Sequence, residues 1–547
     1  MIERFPALVR ASGRRSLEAR SVPPLRGRAA TPAAGPARTA PAPRAPLAAL
    51  AVLAAIAALA AGCMVGPNYQ RPPATAPAAF KEPPPAGWKT AQPRDELPRG
   101  KWWEIFGDAQ LDALEEQVAV SNQSIAQAEA QFRAARAAVG VTRGGLFPTV
   151  TAGASATRSR GGAARGGTGA GSTGTSGTGS GSSGAPVATT TTTSTTNFFQ
   201  IPLDVSYEVD LWGRVRRLIE AGVATAQASA GDLEAIRLSL QAELAADYFQ
   251  LHGLDAEKQL LATTAGAYQK ALELTTNRYN QGIASGVDVA QAQTQLETTR
   301  AQAIDLGVQR AQFEHAIAVL TGKAPAELSI PPAPIAVKPP PVPVVLPSEL
   351  LERRPDVAAS ERRMAAANAQ IGVQVAAYYP TLSLTASGGF ENNKLADLFT
   401  WPSRFWSLGA SAVETLFNGG ARRAATEEAK ANYDAAVAAY RQNVLTAFQD
   451  VEDNLSALRI LEEEETQQSI AVAAAEKSLS LSNYRYQGGI ATYLEVITAQ
   501  ALALADERTA VDLLTRRMTA SVNLVKALGG GWRDTDLPPA TAILSRR

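Results

Sequence analysis

The sequence contains an internal duplication, and this limits the chain to a fold built from two similar halves. Residues 278–293 read RYNQGIASGVDVAQAQ and align with residues 485–500, RYQGGIATYLEVITAQ, with eight of sixteen positions identical. Residues 146–150, LFPTV, match residues 378–382, YYPTL, in character. Self-similarity of this kind is the signature of repeated supersecondary units. We therefore expect each half to contain a helix, a pair of strands, a long helix, a sharp turn and a returning helix.

The duplication divides the chain into segments. We predict a signal region, an extended N-terminal segment, a first repeat, a linker, a second repeat and a tail, at 1–62, 63–107, 108–330, 331–347, 348–531 and 532–547. The linker reads PPAPIAVKPPPVPVVLP, and its prolines exclude a helix and favour an extended chain.

The predicted strands alternate polar and apolar side chains with a period of two residues. In the first half the polar positions are Gln200, Asp204, Ser206, Glu208 and Asp210, and the apolar positions are Ile201, Leu203, Val205, Tyr207 and Val209. The segment 381–387 alternates in the same way. Aromatic residues collect at the strand ends, as in interfacial girdles: Phe198, Phe199, Trp212, Tyr378, Tyr379, Trp401, Phe405 and Trp406. This pattern suits strands that cross a membrane, and a soluble β-sandwich with one wet face is the alternative.

Two strands in each half give four strands per chain, which are too few to close a barrel. Lipid does not tolerate open sheet edges, because every backbone polar group there needs a partner within the protein. We therefore expect several copies of the chain to pool their strands.

The stretch between the first two strands, 158–196, has low complexity. It consists mainly of Gly, Ser and Thr. It contains no GK[ST] motif and has no strand–turn–helix context, which a phosphate-binding loop requires. We predict a disordered extracellular loop.

The helical segments are long and rich in alanine. Apolar residues of the second half step by three and four positions from Tyr433 to Leu458, a period of about 3.6 residues. Residues 214–277 follow the same kind of pattern, and about 60 helical residues rise roughly 90 Å. Helices of this length fit lateral packing in a tube or bundle, and an antiparallel coiled-coil stalk is the alternative.

Cys63 is the only cysteine of the chain and directly follows an apolar run. Residues 47–62 read LAALAVLAAIAALAAG, which has the length of a signal-peptide core and is too short to span a membrane comfortably. The run resembles a bacterial lipoprotein signal, in which the cysteine is acylated and becomes the mature N-terminus. An ordinary signal peptide that is cut elsewhere is the alternative. Residues 1–43 are too long for the charged start of such a signal, so we expect the true translation start near Leu25.

Composition excludes several classes of function. Lys and Arg together number 52 against 51 Asp and Glu, which argues against a nucleic-acid binder. With two His and one Cys, a His/Cys metal site or a Cys/His nucleophile is nearly excluded by count. His252 and His315 lie in helical patterns without metal-ligand spacing. We expect no catalytic residues, no metal and no cofactor.

Six motifs resemble those of the outer-membrane efflux protein family, the TolC-like channels, in its lipoprotein branch. They are MVGPNYQRP after the cysteine, KWWEIFGDAQLDAL at 101–114, EVDLWGRVRR at 208–217, LLERRPDVAASERR at 350–363, LFNGGARR at 416–423 and VNLVKALGGGW at 522–532. The motifs span nearly the whole mature chain in the expected order.

The resemblance implies a fold and a function. It implies a mainly α-helical homotrimer with a smaller β part: a 12-stranded outer-membrane β-barrel, with four strands per chain, continues into a long periplasmic α-helical barrel with a mixed equatorial region. It also implies an exit duct for small molecules in a three-component efflux pump. The partners would be a periplasmic adaptor and an inner-membrane transporter of the resistance-nodulation-division class, and Cys63 would carry the lipid.

The resemblance also assigns roles to the two repeated RY-x-x-G turns. They would form the periplasmic tip, with the adaptor contacting Gly282, Ile283, Gly489 and Ile490. The alternative is that the glycines only shape the turns.

In the same family a closed gate lies near this tip, and the matching residues are Tyr486, Leu494, Glu495 and Asp288. Leu494 would form an apolar constriction, and Glu495 and Asp288 would form carboxylate rings. The positions where relatives carry an Asp–Arg pair are Thr498 and Ala501, so that lock is not expected. The alternative is that Glu495 faces solvent on the outer wall.

Two other classes compete with a duct. A periplasmic adaptor is also a lipoprotein with a helical hairpin, but it has a single hairpin and lacks membrane strands. An envelope hydrolase would need a nucleophile or metal motif, and the sequence has neither GxSxG nor HExxH.

Overall fold

Two helical hairpins of equal size dominate the fold. In the computed structural model, which describes residues 64–73, 77, 79–83, 101–160, 195–342 and 347–545, helix α3 spans Arg214–Asn280 and α4 spans Gly286–Leu320. In the second half α7 spans Ala421–Gln487 and α8 spans Tyr493–Ala527. The long helices have 67 residues each and the returning helices 35 each. A straight helix of that greater length extends about 100 Å. The prediction of a mainly helical chain is confirmed.

Shorter helices lead into each half. Helices α1 (Ala109–Ser121) and α2 (Gln123–Gly144) precede the first strands, and α6 (Pro355–Ala376) precedes the later ones. Helices α2 and α6 both have 22 residues. Asn122 separates α1 from α2 and caps α2, because its side chain accepts hydrogen bonds from the backbone N–H groups of the next turn.

The predicted Pro-rich linker is wrong at its last residue. Helix α5 spans Pro347–Arg353, so it begins at the final proline of the segment 331–347. Proline is tolerated there because the first turn of a helix leaves its N–H groups unbonded. Residues 331–342 contain no helix or strand, and 343–346 lie outside the described residues.

A single antiparallel sheet adjoins the N-terminal ends of the long helices. Its strands are β1 (Thr149–Ala152), β2 (Ser155–Arg160), β3 (Thr195–Val209), β4 (Thr381–Asn392) and β5 (Arg404–Val413). Strands β1 and β2 pair with different parts of β3, which pairs in turn with β4, and β4 with β5. The sheet is therefore four strands wide, as predicted. In the described part of the chain neither β1–β2 nor β5 has a second partner strand.

The predicted loop 158–196 is wrong at both ends. Arg158 to Arg160 belong to β2, and Thr195 and Thr196 belong to β3. Ser159 pairs with Thr196 and Arg160 with Thr195, and the hydroxyl oxygens of Ser159 and Thr196 lie 3.2 Å apart. The β-branched threonines suit an extended, paired backbone. Residues 161–194 lie outside the described residues.

The main hydrophobic core lies where the short helices contact the middle of α3 and α7 and the C-terminal ends of α4 and α8. Its largest fully buried members include Trp102, Leu111, Leu244, Phe249 and Tyr440. Trp102 belongs to a short 3-10 helix, Trp102–Phe106, so the end of the predicted extended segment 63–107 is helical. Helix α9 (Ala540–Leu544) packs Ile543 against Val139 of α2 and Val223 of α3. Within the described ranges, no helix has the length and apolar character needed to cross a membrane.

Candidate functional site

The two repeated turns close the long hairpins with the same backbone geometry. Gly282 and Gly489 adopt positive φ angles of 74° and 73°, and a Cβ at either position would meet no atom within 4 Å. In each turn the following Ile donates its N–H to the carbonyl of an Arg five residues earlier, Arg278 or Arg485. This is a Schellman motif, which needs a left-handed residue after the helix. Glycine is therefore required by conformation, whether or not a partner contacts it.

The residue after each turn glycine presents an apolar side chain to solvent. Ile283 is 62% exposed and Ile490 is 75% exposed, so the two β-branched side chains extend from the ends of the hairpins. An exposed apolar group at two repeat-related positions is a candidate contact for a partner protein. The predicted adaptor contacts are thus brought to the hairpin ends, and the contact itself stays a prediction.

The turns differ in how they hold their tyrosines. Tyr486 is 5% exposed and packs on Tyr493 with ring centroids 5.2 Å apart. Its repeat counterpart, Tyr279, is 50% exposed and lies beside Gly286, which has no side chain to pack on. The second turn therefore has a buried aromatic pair, and the first does not.

Tyr486 also joins α7 to α3. The guanidinium of Arg278 lies 4.6 Å from the centroid of the Tyr486 ring and donates a 2.7 Å hydrogen bond to the Tyr486 carbonyl. The Tyr486 hydroxyl lies 3.4 Å from Oγ1 of Thr275. Burial raises the pKa of the Tyr493 hydroxyl to about 12, so this tyrosine stays neutral at physiological pH. Of the predicted gate residues, Tyr486 is the one that ties two hairpins together.

The other predicted gate residues lie at the start of the returning helices. Leu494 is 59% exposed, and Glu495 forms an ion pair with Arg485, with Nη1 and Oε2 3.1 Å apart. Asp288 forms a capping box with Ser285, in which each side chain accepts the other residue's backbone N–H. Sequence reasoning did not find the ion pair, although Arg485 precedes Tyr486 in the repeated motif. Whether these residues form the gate stays a prediction.

The sheet exposes apolar and aromatic side chains over its surface and near both ends. Near the helical end the exposed residues include Phe147, Val150, Val413, Leu416 and Phe417. Near the far end they include Phe198, Phe399 and Trp401. Leu203, Leu384, Trp406 and Leu408 are also exposed, and the strand pairing places them on the same face of the sheet as Val150. An apolar strand face with aromatic groups near its ends is the pattern of a lipid-facing surface.

The segment after Cys63 is held against the junction between sheet and helices. Cys63 itself lies outside the described residues. The N–H of Val65 donates to the carbonyl of Trp212 at 3.1 Å, and the Trp212 ring stacks on Tyr379 with centroids 4.6 Å apart. Gly66, with φ of 90°, packs so closely that a Cβ there would lie 2.5 Å from Cα of Gly372. The backbone that follows the cysteine is therefore fixed beside an aromatic group.

Arg217, buried in α3, binds this segment. Its side chain is 1% exposed and donates to the carbonyls of Val65 and Gly66, both at 3.2 Å. It also donates to Oδ1 of Asn68 at 3.0 Å and to Glu220 at 2.8 Å. The motifs MVGPNY and EVDLWGRVRR thus meet in one place. Sequence reasoning used both to recognise the family and missed the contact, because the motifs are about 140 residues apart.

The structure shows no metal centre in its described part. No group of three or more His, Cys, Asp or Glu side chains in this part could hold a metal ion.

Comparison with known proteins decides the family. The family model described as "Outer membrane efflux protein" matches residues 114–323 and 346–530. The chain belongs to the outer membrane efflux protein family. The predicted family is confirmed.

Individual relatives agree over nearly their whole lengths. The probable efflux pump outer membrane protein TtgC of Pseudomonas putida is 32% identical over 474 residues, which cover 86% of this chain and 93% of TtgC. The outer membrane protein OprJ of Pseudomonas aeruginosa is 31% identical over 473 residues, 86% of this chain and 93% of OprJ. The structure of the outer-membrane channel OprN superposes with a TM-score of 0.76 at 30% identity, covering 86% of this chain and 100% of OprN.

Proposed function

We propose that three copies of this chain form the outer-membrane exit duct of a three-component efflux pump. The duct conducts small molecules from the periplasm to the exterior and performs no chemistry. It works with a periplasmic adaptor and an inner-membrane transporter of the resistance-nodulation-division class. The twelve pooled strands form a barrel in the outer membrane, and the long helices form a tube through the periplasm.

The observation that supports this function most directly is the sheet, which within the described residues has two unpaired edges and an apolar, aromatic surface. A four-stranded sheet cannot stand alone in lipid, because its edge N–H and C=O groups would lack partners. Pairing with the strands of other copies gives the N–H and C=O groups of both edges their hydrogen-bond partners. It also leaves the apolar side chains facing lipid. Helices of 67 residues continue from this sheet, which is the geometry of a conduit that leaves the membrane.

The lipid anchor is supported by the position of the residues after Cys63. Met64 contacts Gly213, where α3 begins, and a Cβ on Gly213 would lie 2.7 Å from Cγ of Met64. This junction carries the stacked Trp212 and Tyr379 rings, and such aromatic groups lie at membrane interfaces. An acylated Cys63 would therefore reach the periplasmic leaflet without stretching the chain. Cys63→Ser should block labelling with palmitate, and continued labelling would remove this assignment.

The test of the function is complementation. The chain is expressed, together with an adaptor and a transporter of the resistance-nodulation-division class from the same organism, in a Gram-negative strain that lacks its own efflux ducts. We expect restored resistance to exported compounds and channel conductance of the purified protein in planar bilayers. The matched control is Ile490→Asp, which should keep the channel in bilayers but lose resistance. A protein that is monomeric, soluble and without conductance would contradict the proposal.

A further inference from the structure

We propose that the seam inside each chain is the template for the seam between copies, and that it fixes which residues of β5 pair with β1–β2 of the next copy. The inner seam joins α3 and β3 of the first repeat to α6 and β4 of the second. The outer seam joins α7 and β5 of one copy to α2, β1 and β2 of the next. This inference rests on the proposed self-assembly of the duct and adds its register.

Two constant shifts in residue number relate the elements of the two repeats. Helix α2 begins at Gln123 and α6 at Pro355, a shift of 232 residues, and the two helices have equal length. Helix α3 begins at Arg214 and α7 at Ala421, a shift of 207 residues, again with equal lengths. Helices α2 and α3 of the first half thus have counterparts of equal length at known positions in the second.

The same shifts hold through the sheet. In the first half Thr149 pairs with Ser206, and the shifts carry this pair to Thr381 and Val413, which pair in the second half. They also carry the pair Ser155 and Gln200 to Ser387 and Ser407, which likewise pair. Strand register is therefore identical in the two halves. A slip of one residue would turn every side chain to the opposite face.

The same shifts, applied to the paired residues of the inner seam, predict the paired residues of the outer seam. Strands β3 and β4 pair Asp204 with Ser387, and the counterparts of these residues are Ser411 and Ser155. Likewise Gln200 pairs with Glu391, and their counterparts are Ser407 and Ser159. The geometry points to Ser411 facing Ser155, and Ser407 facing Ser159, of the neighbouring copy. Leu416 then comes beside Val150, and these side chains are 90% and 59% exposed in the single chain.

Helix α7 exposes a surface like the one that α3 buries in the inner seam. In the inner seam Gly231 of α3 is buried, and a Cβ there would lie 3.0 Å from Cβ of Ala359 in α6. On the same face of α3, Ala224 and Ala228 are 6% and 3% exposed. The counterparts on α7 are all alanines and all exposed: Ala431, Ala435 and Ala438. Small residues permit close approach of helices, so α7 has the surface for the same packing and lacks its partner.

Two charged contacts of the inner seam have no counterpart in the outer one. The counterparts of Asp232 and Arg363, which form an ion pair, are Ala439 and Gln131. The counterpart of the buried Arg217, which packs against Gly372, is Ala424, which would lie opposite Gly140. The outer seam relies on backbone pairing and small-residue packing, which two copies can form without burying unpaired charge.

Cysteine pairs test the register in isolated outer membranes. One chain carries Ser155→Cys with Ser411→Cys, and another carries Ser159→Cys with Ser407→Cys. Directly opposed residues have Cβ atoms about 5 Å apart, within reach of a disulfide on oxidation with copper–phenanthroline. The swapped pairs, Ser155 with Ser407 and Ser159 with Ser411, are four residues out of register and about 13 Å apart. Wild-type chain, with Cys63 alone, gives the background.

We expect chains with either matched pair to give covalently linked dimers and trimers and no larger species. Chains with either swapped pair should stay monomeric. Preferential linking of a Thr157→Cys, Ser411→Cys chain would show a slip of two residues and overturn the register. Absence of links from both matched pairs in chains that still restore efflux would also overturn it, while the duct function would stand. Linked species from the matched pairs that end at another number of copies would keep the register and overturn the trimer.

Discussion

Arg278 and Tyr486 connect the two helical hairpins of one chain at the ends that lie farthest from the sheet. The guanidinium of Arg278 lies 4.6 Å from the ring centroid of Tyr486 and donates to its carbonyl oxygen at 2.7 Å. A cation over an aromatic ring contributes about 0.5–1 kcal/mol at an exposed site and more when it is desolvated. The tie joins α3 to α7 through a ring that also packs on Tyr493. Opening of the hairpin ends would require breaking it.

Removal of the Tyr486 ring should therefore loosen the closed state. Tyr486→Ala keeps the hydrogen bond of Arg278 to the main-chain carbonyl but loses the cation–π contact and the packing on Tyr493, a loss of about 3 kcal/mol or more for a buried aromatic residue. We expect a higher basal conductance in planar bilayers and greater sensitivity of cells to large antibiotics. Tyr486→Phe keeps the ring and loses only the 3.4 Å contact with Thr275, so it should resemble wild type. Equal conductance of all three proteins would mean that contacts other than those of Tyr486 hold the hairpin ends closed.

The ion pair between Arg485 and Glu495 predicts opposite effects for its two members. If Glu495 lies in the pore, Glu495→Gln should weaken cation selectivity and block by divalent cations, because a ring of carboxylates attracts cations. Arg485→Gln should strengthen both, because it removes the positive charge 3.1 Å from the carboxylate. Reversal potentials in a salt gradient measure the selectivity. Unchanged selectivity in Arg485→Gln and in a Glu495→Gln, Asp288→Asn double variant would mean that these carboxylates face the outer wall.

The exposed isoleucines at the hairpin ends predict a loss of coupling without a loss of structure. Ile283→Asp and Ile490→Asp should abolish efflux in cells and leave the oligomer and its bilayer conductance unchanged. The two side chains are 62% and 75% exposed, so a charge there costs little stability. Ile490→Leu is the matched control and should retain efflux. Export that persists in a chain with both charged substitutions would exclude these residues as adaptor contacts.

The contacts of Arg217 predict that this residue holds the N-terminal segment in place. Arg217→Met leaves the carbonyls of Val65 and Gly66 without their donor, at a cost on the order of 3 kcal/mol. We expect faster proteolysis between Cys63 and residue 83 and a lower melting temperature. Arg363→Met, which breaks an exposed ion pair with Asp232, should cost less than about 1 kcal/mol. Equal protease resistance in the two variants would show that Arg217 does not fasten the segment.

Glu115 predicts a pH-dependent stability. Its side chain is 0% exposed, and neither carboxylate oxygen has a hydrogen-bond partner among the described residues. Burial, with a smaller effect of the nearby Asp112, raises the pKa of Glu115 well above the usual value. An acid with a raised folded-state pKa loses stability as pH increases from its unfolded pKa, about 4.3, to the folded value.

Glu115→Gln should therefore melt at a higher temperature than wild type at neutral pH, by the equivalent of about 1–3 kcal/mol, and the difference should shrink towards pH 4. Melting curves of the detergent-solubilised protein between pH 4 and 8 measure this. Glu116→Gln is the matched control, since Glu116 is exposed and pairs with Lys101 at 2.6 Å. A stabilisation that does not change with pH would mean that the pKa of Glu115 is the same in the folded and unfolded states, which would contradict the effect of burial.

Local sequence signals determined the repeat, the element types and the turns. The RY-x-x-G turns were predictable because only glycine adopts positive φ without strain, and Gly282 and Gly489 do so. The strands were predictable because side chains alternate between two environments on a pleated backbone. The ends of the predicted loop were wrong because composition favoured disorder at 158–160 and 195–196, whereas pairing between Ser159 and Thr196 favoured a strand.

Only the tertiary structure decided which distant residues meet. Arg217 and the Val65–Gly66 backbone are separated by about 150 residues, and no local pattern links them. The burial of Tyr486 and the exposure of Tyr279 also follow from packing, because both sit in the same sequence motif and differ in what the returning helix offers, Tyr493 or Gly286. Periodicity and turn chemistry act over a few residues, so the sequence specifies the elements. Contacts across hundreds of residues depend on how those elements pack, and packing distinguishes two repeats that their motifs make alike.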